Sequence, residues 1–114
     1  MDNPTAVIAL NALSHDTRLA AFRVLVQAGP DGLPVGELRE RLDLPAATLT
    51  AHLNVLRAAG LARDERQGRS IRVRAEYPRM NALIAYLTEN CCAGADCGPP
   101  AACKPSTPRK RTTP

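Results

Sequence analysis

The stretch PAATLTAHLNVLRAAG, at residues 45–60, constrains the fold more than any other part of the chain. Leu49, Leu53 and Leu56 recur in it at helical spacing and form one apolar stripe, and Gly60 follows where a left-handed C-terminal cap is needed. The residues between the leucines are small or short and polar, namely Ala47, Thr48, Thr50, Ala51 and Asn54. A helix with so slim an outer face can enter the major groove of DNA, where hydroxyls and amides reach base edges. An ordinary amphipathic core helix would show the same pattern, so the flanking segments must decide between the two interpretations.

A short helix and a tight turn precede this stretch. Val35, Leu38 and Leu42 mark the helix, and residues 43–45 (DLP) form the turn, with Pro45 suited to the first position of the next helix. A short helix, a turn of three or four residues and a second helix with an apolar stripe form the helix-turn-helix pattern.

After Gly60 the pattern changes from a helical to a strand-like period. Residues 61–66 and 70–76 are predicted strands around a QGR turn, because apolar residues alternate with polar ones in the second of them. The hairpin carries five arginines, Arg63, Arg66, Arg69, Arg72 and Arg74. A basic hairpin directly after a recognition helix is placed to lie along DNA phosphates. The alternative is a solvated hairpin whose arginines only prevent sheet pairing.

The remaining elements complete a mainly α fold with a β-hairpin wing, a winged helix-turn-helix with about five helices. Asn3 is predicted to cap a first helix, and Ser14 a second one at roughly residues 15–27. The core face of the second helix is assigned to Leu19, Phe22, Leu25 and Val26. Leu33-Pro34 is a candidate edge strand, and residues 79–90 form the last helix. The first helix (AVIALNAL at residues 6–13) and the last are too apolar for a lone subunit, which indicates that a second subunit packs on the first and a second helix or subunit on the last.

The chain of 114 residues divides into three parts. Residues 1–90 are the predicted DNA-binding and dimerisation domain, residues 91–103 a cysteine-rich effector-binding segment, and residues 104–114 a disordered basic tail. A net charge of +4 is compatible with a polyanionic partner, and the few aromatics argue against modules that stack single-stranded bases. Without a bilayer-spanning run or a signal peptide, we expect a cytoplasmic protein with reduced thiols and no membrane partner.

All the cysteines lie in the segment after the last helix, at positions 91, 92, 97 and 103. Adjacent residues have Cα atoms about 3.8 Å apart, below the usual disulfide range of about 4.4–6.8 Å, so Cys91 and Cys92 are a poor structural bridge. Two adjacent thiolates can instead share one soft ion. The segment lacks the C-x2-C knuckles of zinc sites and has no nearby histidine, which favours a three-coordinate, all-sulfur site of Cys91, Cys92 and Cys97. Cys103 is the least certain ligand, and a redox switch, a metal carrier or incidental thiols are the competing interpretations.

Three runs of the sequence resemble the ArsR/SmtB family of metal-sensing winged-helix repressors. They are ALSHDTRLAAFRVLVQAG, LPVGELRERLDLPAATLTAHLNVLRAAGLA and RDERQGRSIRVRA, within residues 10–87. The resemblance implies a homodimer, joined through its first and last helices, that represses double-stranded operator DNA. His15, His52 and the cysteines offer no catalytic arrangement in the sequence, so we expect no enzyme and assign no catalytic residues. It places Thr48, Thr50, Ala51 and His52 at the DNA, and the wing arginines Arg66, Arg69 and Arg72 on its backbone. His52 has an alternative role as a helix histidine hydrogen-bonded within the fold.

The resemblance also bears on the inducer. The helix VGELRERL lacks the cysteine pair of many arsenic-sensing members, and RMNALIAYLTEN lacks the ligands of zinc-sensing members. Some arsenic-responsive members resemble this chain in carrying an adjacent cysteine pair just after the last helix. The implied inducer is trivalent arsenic as arsenite, or antimonite or methylarsenite, bound by Cys91, Cys92 and Cys97, with no permanent cofactor. A thiol redox-sensing repressor and a sensor of another soft metal are the alternatives.

Overall fold

The structure is a computed structural model and describes residues 1–94. It contains five α-helices and a three-stranded antiparallel sheet. In chain order the elements are α1 (Asn3–Leu13), α2 (Asp16–Ala28), β1 (Leu33–Pro34), α3 (Val35–Leu42), α4 (Ala46–Ala58), β2 (Ala62–Gln67), β3 (Ser70–Ala75) and α5 (Tyr77–Leu87), followed by a 3-10 turn at Cys91–Gly94. The predicted winged helix-turn-helix is confirmed. The predicted ligand Cys97, Cys103 and the predicted tail at residues 104–114 lie outside the described residues.

The first two helices begin at caps other than the predicted ones. Asp2 caps α1, and its carboxylate accepts a hydrogen bond from the Thr5 amide at 3.0 Å, so Asn3 already lies inside the helix. His15, not Ser14, caps α2, because its extended backbone lets Nδ1 accept from the Thr17 amide at 3.1 Å. Ser14 instead ends α1.

The helix-turn-helix runs through a left-handed residue at the turn. Asp43 (φ 53°) ends α3 and donates its amide to the carbonyls of Arg39 and Glu40. Pro45 is the N-cap of α4 and not its first residue, so the helix begins at Ala46, one residue later than predicted. Gly60 (φ 76°) provides the predicted left-handed end of α4, since Leu61 then donates its amide back to the Leu56 carbonyl at 3.0 Å.

The wing is the hairpin of β2 and β3, paired from Ala62 with Ala75 to Gln67 with Ser70. The predicted edge strand is confirmed, because β1 pairs with β3 with Leu33 opposite Val73. The strand order is β1-β3-β2, so β3 is the central strand and attaches the wing to the helices.

The core is aliphatic apart from Phe22. Its fully buried large side chains are Leu25, Leu38, Leu49, Leu53, Leu56, Leu61 and Val73. Leu19 was predicted to join them but is 44% exposed, because α2 turns Ala21, Phe22 and Leu25 inward instead. Tyr77 ties α5 to α2 by donating its hydroxyl to the Val26 carbonyl at 2.8 Å.

The outer surfaces of α1 and α5 are apolar. The buried face of α1 consists of the small residues Ala6, Ala9 and Ala12, while its larger side chains, Val7, Ile8 and Leu10, are exposed. Leu87 on α5 is also exposed. That helix ends three residues before the predicted Asn90, because the Thr88 hydroxyl donates to the Ile84 carbonyl and the backbone turns left-handed at Asn90. Across residues 1–94, none of the helices is both long and apolar enough to cross a membrane.

Candidate DNA-binding surface and cysteine segment

The outer face of α4 is slim and exposed. The buried leucines of this helix occupy one side, and helical spacing places Ala47, Ala51, Asn54 and Ala58 on a line along the opposite side. Thr48 and Thr50 flank this line and are exposed as well. Three of the predicted DNA contacts on α4, Thr48, Thr50 and Ala51, are therefore open to an approaching duplex.

His52, the fourth predicted contact on α4, faces α2. It is half-buried, and its ring lies against the ring of His15 with centroids 4.7 Å apart and planes tilted by 44°. Burial lowers the pKa of His52, and coulombic interactions with His15 and Arg18 lower it further. This placement favours the structural interpretation of His52, although the contact is between rings and not a hydrogen bond.

Asn54 belongs to the exposed surface but was left out of the predicted contacts. Its Oδ1 accepts a hydrogen bond from Arg57 Nη1 at 2.9 Å. Arg57 also binds the Asp64 carboxylate on β2, through Nε at 3.0 Å and Nη2 at 2.9 Å. The spacing in the sequence could have indicated that Asn54 shares this surface, since it lies three residues after Ala51 and four after Thr50.

Two of the five wing arginines pair with carboxylates. Arg63 pairs with Glu76 at 3.7 Å, and Arg74 pairs with Glu65 at 3.3 Å and with Glu76 at 3.6 Å. These two guanidinium groups therefore neutralise acidic side chains of the sheet and of the segment that follows it.

Arg72, a predicted backbone contact, is engaged within the fold. Its Nε donates to the Asp31 carbonyl at 3.0 Å and its Nη2 to the Gly32 carbonyl at 3.2 Å. The other two predicted contacts, Arg66 and Arg69, are exposed near the tip of the hairpin, and no ion pair or side-chain hydrogen bond joins them to residues 1–94. Among the wing arginines, those without such a partner in residues 1–94 therefore lie at the hairpin tip.

Cys91 and Cys92 lie just beyond α5 and are both exposed. The backbone around them is left-handed at Asn90 (φ 57°), Cys92 (φ 57°) and Ala93 (φ 51°). Within the described residues Cys92 is a free thiol. The same part of the chain contains no group of three His, Cys, Asp or Glu side chains able to hold a metal ion. Two soft donors of the predicted set are thus accessible, and the third, Cys97, lies outside the described residues.

Comparisons with known proteins agree with this geometry. A helix-turn-helix domain family matches residues 13–65. Over 86 residues the chain is 35% identical to the biofilm growth-associated repressor of Agrobacterium fabrum, covering 75% of this chain and 71% of that protein.

Among solved structures, an ArsR-like transcriptional regulator from Rhodococcus sp. RHA1 superposes with a TM-score of 0.66 at 30% identity, covering 76% of this chain and 78% of that one. Reduced HlyU from Vibrio cholerae superposes with a TM-score of 0.59 at 30% identity, covering 78% of this chain and 90% of that one.

Proposed function

Since this chain belongs to the ArsR family of winged helix-turn-helix transcriptional regulators, we propose that it is a cytoplasmic repressor that binds operator DNA as a homodimer and releases it when trivalent arsenic binds its C-terminal thiolates. The observation that carries the proposal is the adjacent, exposed pair Cys91 and Cys92 at the end of α5.

DNA binding is supported by the shape and charge of one surface. The outer face of α4 fits the width of a major groove because it bears only small residues and Asn54. Arg66 and Arg69 on the wing supply positive charge for the adjacent phosphates. In this proposal α4 contacts the base edges and the wing contacts the phosphate backbone.

Homodimer formation is supported by the apolar surfaces of α1 and α5. Val7, Ile8, Leu10 and Leu87 are between 42% and 58% exposed, which is unfavourable for a lone subunit. The two helices are also joined, because the Tyr86 hydroxyl donates to Asn3 Oδ1 at 3.0 Å. A second copy covering both helices would place two recognition helices about 34 Å apart, one turn of DNA, on a symmetric operator.

The proposed inducer is inferred from the chemistry of the cysteine sulfur atoms. Thiolates select soft metals and metalloids, and Cys91 and Cys92 present two of them side by side. When arsenite binds, each As–S bond that forms replaces an As–O bond and releases one water molecule. Cys97 is the proposed third ligand. Antimonite would bind in the same way, and methylarsenite needs only the first two thiols.

Release of DNA is proposed to pass through α5. The cysteine pair begins four residues after this helix ends, and the helix is bonded to α1 at the proposed interface. Closing a ligand loop there would change how the two subunits pack and hence the spacing of the recognition helices. An allosteric coupling of about 1–3 kcal/mol would weaken DNA binding about 5- to 150-fold.

The test is fluorescence anisotropy of the reduced full chain on the DNA upstream of its own gene, repeated with arsenite, zinc and peroxide. We expect binding without additions, and loss of binding with arsenite alone. Cys91→Ser and Cys92→Ser should bind DNA normally and fail to release it, with Cys103→Ser as the matched control that still releases. A Cys92→Ser protein that still dissociates on arsenite would remove that residue from the site.

A second candidate is a thiol redox sensor. It is favoured by the exposure of Cys91 and Cys92 and by the likeness to a protein solved in a reduced form, HlyU. It predicts that peroxide, and not arsenite, releases the DNA in the same titration. An outcome of that kind would replace the arsenic proposal.

A further inference from the structure

We infer that Asn54 reads a guanine in the operator, and that Arg57 fixes its amide so that only the N–H side is available to the base. The inference rests on the DNA-binding half of the proposed function and is independent of the inducer. The juxtaposition behind it is a three-residue chain, Asn54–Arg57–Asp64, that joins the recognition helix to the wing.

The first step concerns position. The exposed line opposite the buried leucines of α4 consists of Ala47, Ala51, Asn54 and Ala58. Alanine has no side-chain hydrogen-bonding group, so Asn54 is the residue on this line that can recognise a base edge by hydrogen bonding.

The second step concerns the orientation of the amide. The guanidinium of Arg57 has N–H donors and no acceptor, so the atom that faces its Nη1 at 2.9 Å must be the Oδ1 of Asn54. The Nδ2 group, with its two N–H bonds, therefore points the other way. Rotating the amide by half a turn would set donors against donors and break this bond.

The third step concerns what holds Arg57. Its Nε and Nη2 both bind Oδ1 of Asp64 on β2, at 3.0 and 2.9 Å, and its side chain is only 27% exposed. Hydrogen bonds between ionised groups are shorter and stronger than neutral ones. The guanidinium is thus fixed from the wing side before DNA arrives, and Asn54 is oriented in advance.

The chemical consequence is a choice between purines. An unconstrained asparagine reads adenine with both ends of its amide, the oxygen accepting from N6 and the nitrogen donating to N7. In this protein the oxygen faces Arg57 and the Nδ2 group points the other way, so Asn54 presents its N–H donors to a base. Guanine presents two adjacent acceptors in the major groove, O6 and N7, whereas adenine would set its N6 donor against the amide N–H. Guanine is the base that fits.

The experiment is a selection of bound duplexes from a random DNA library with the full chain, followed by anisotropy on single-base variants of the selected operator. The proteins are the parent chain, Asn54→Ala and Arg57→Met. Arg41→Met is the matched control, because Arg41 also forms an exposed ion pair, with Glu37 at 2.7 Å, but lies on α3 and does not contact Asn54. Asn54→Ala is compatible with the fold, since the site is an exposed helix position where alanine is favourable.

We expect one guanine in each half-site whose replacement by adenine weakens binding of the parent chain at least about fivefold. With Asn54→Ala this discrimination should disappear at that base pair and persist at the others. With Arg57→Met the amide can rotate, so adenine should be accepted there about as well as guanine. Arg41→Met should behave as the parent chain.

Two results would overturn the inference while leaving DNA binding intact. One is an Asn54→Ala protein that weakens equally on every sequence, which marks a phosphate contact. The other is a parent chain that selects adenine at the position sensitive to Asn54. A parent chain that selects no sequence at all would instead overturn the proposed DNA binding, and this inference with it.

Discussion

The imidazole rings of His15 and His52 lie 4.7 Å apart and join the start of α2 to the middle of α4. The Nδ1 atom of His15 already has a hydrogen-bond partner, because it caps α2 by accepting from the Thr17 amide. His52 is half-buried beside it, with Arg18 close enough to disfavour a further positive charge. The recognition helix thus meets the start of α2 through these two rings, and this environment lowers the pKa of His52.

Stability should therefore fall as the pH is lowered through the usual histidine pKa of about 6.5. The pKa of His52 is lowered in the folded chain by burial first and then by His15 and Arg18, so the unfolded chain binds the proton more readily and acid favours unfolding. Urea denaturation between about pH 8 and about pH 5 measures the slope, which should be shallower in His52→Gln.

Asp2→Asn provides the control for this pH range. The pKa of Asp2 is lowered by its hydrogen bonds to Thr5, so its contribution is lost only in more acidic solution. The slope near neutral pH should be the same as in the parent chain. Equal slopes for the parent chain and His52→Gln would show that His52 does not set this dependence.

The salt dependence of DNA binding should distinguish the wing arginines. Arg66→Ala and Arg69→Ala should each weaken binding on all sequences and reduce the slope of log K against log salt by about 1, because each removes a phosphate contact. Arg72→Ala should leave that slope nearly unchanged and lower the unfolding temperature, since its guanidinium binds the carbonyls of Asp31 and Gly32. Anisotropy titrations at several salt concentrations give the slopes. A larger change for Arg72→Ala than for Arg69→Ala would reverse this assignment.

The oligomeric state should respond to single charges on α1 or α5. Val7→Glu and Leu87→Glu place a carboxylate on exposed apolar surface, so the subunit should still fold but dimerise more weakly. Sedimentation velocity measures the fraction of dimer. Ile71→Glu is the matched control, because Ile71 is similarly exposed but belongs to the wing. If all three variants dimerise like the parent chain, the interface lies elsewhere.

Two left-handed glycines before β1 should differ in how they tolerate a side chain. Gly29 (φ 92°, ψ −178°) has open space where a Cβ would stand, so Gly29→Ala should cost only the penalty of a backbone region nearly confined to glycine, about 1–3 kcal/mol. A Cβ on Gly32 (φ 70°) would collide with the Val73 carbonyl oxygen on the central strand, so Gly32→Ala should cost more. Thermal unfolding of the two variants makes the comparison. Equal losses would show that the strand moves aside.

The order of the elements follows from local signals in the sequence, and the contacts of individual side chains do not. The period of the leucines in α4, the break at Gly60 and the alternation in β3 each depend on a few neighbouring residues, and each was predicted correctly. Whether Ser14 or His15 caps α2 depends on where α1 ends, and both residues can accept the bond. The partner of each wing arginine depends on strand register and on distant loops.

In the candidate site, too, the positions of residues on an element were predictable and their contacts with other elements were not. Spacing placed Thr48, Thr50 and Ala51 on exposed positions of α4, but the contact of His52 with α2 needed the three-dimensional arrangement. Asn54 was assigned to the outer face but not to the predicted contacts, because its bond to Arg57 depends on a guanidinium that is held by a different element.

The buried residues of α1 are alanines, and three of its larger side chains, Val7, Ile8 and Leu10, are exposed, while Leu13 packs against the core. Each buried methyl group contributes little hydrophobic free energy, so a lone subunit holds this helix weakly. In the proposed homodimer most of the stabilisation of α1 then comes from the partner, and by mass action it grows with protein concentration. Dilution alone should loosen the first helix, which makes the amount of protein in the cell a determinant of its structure.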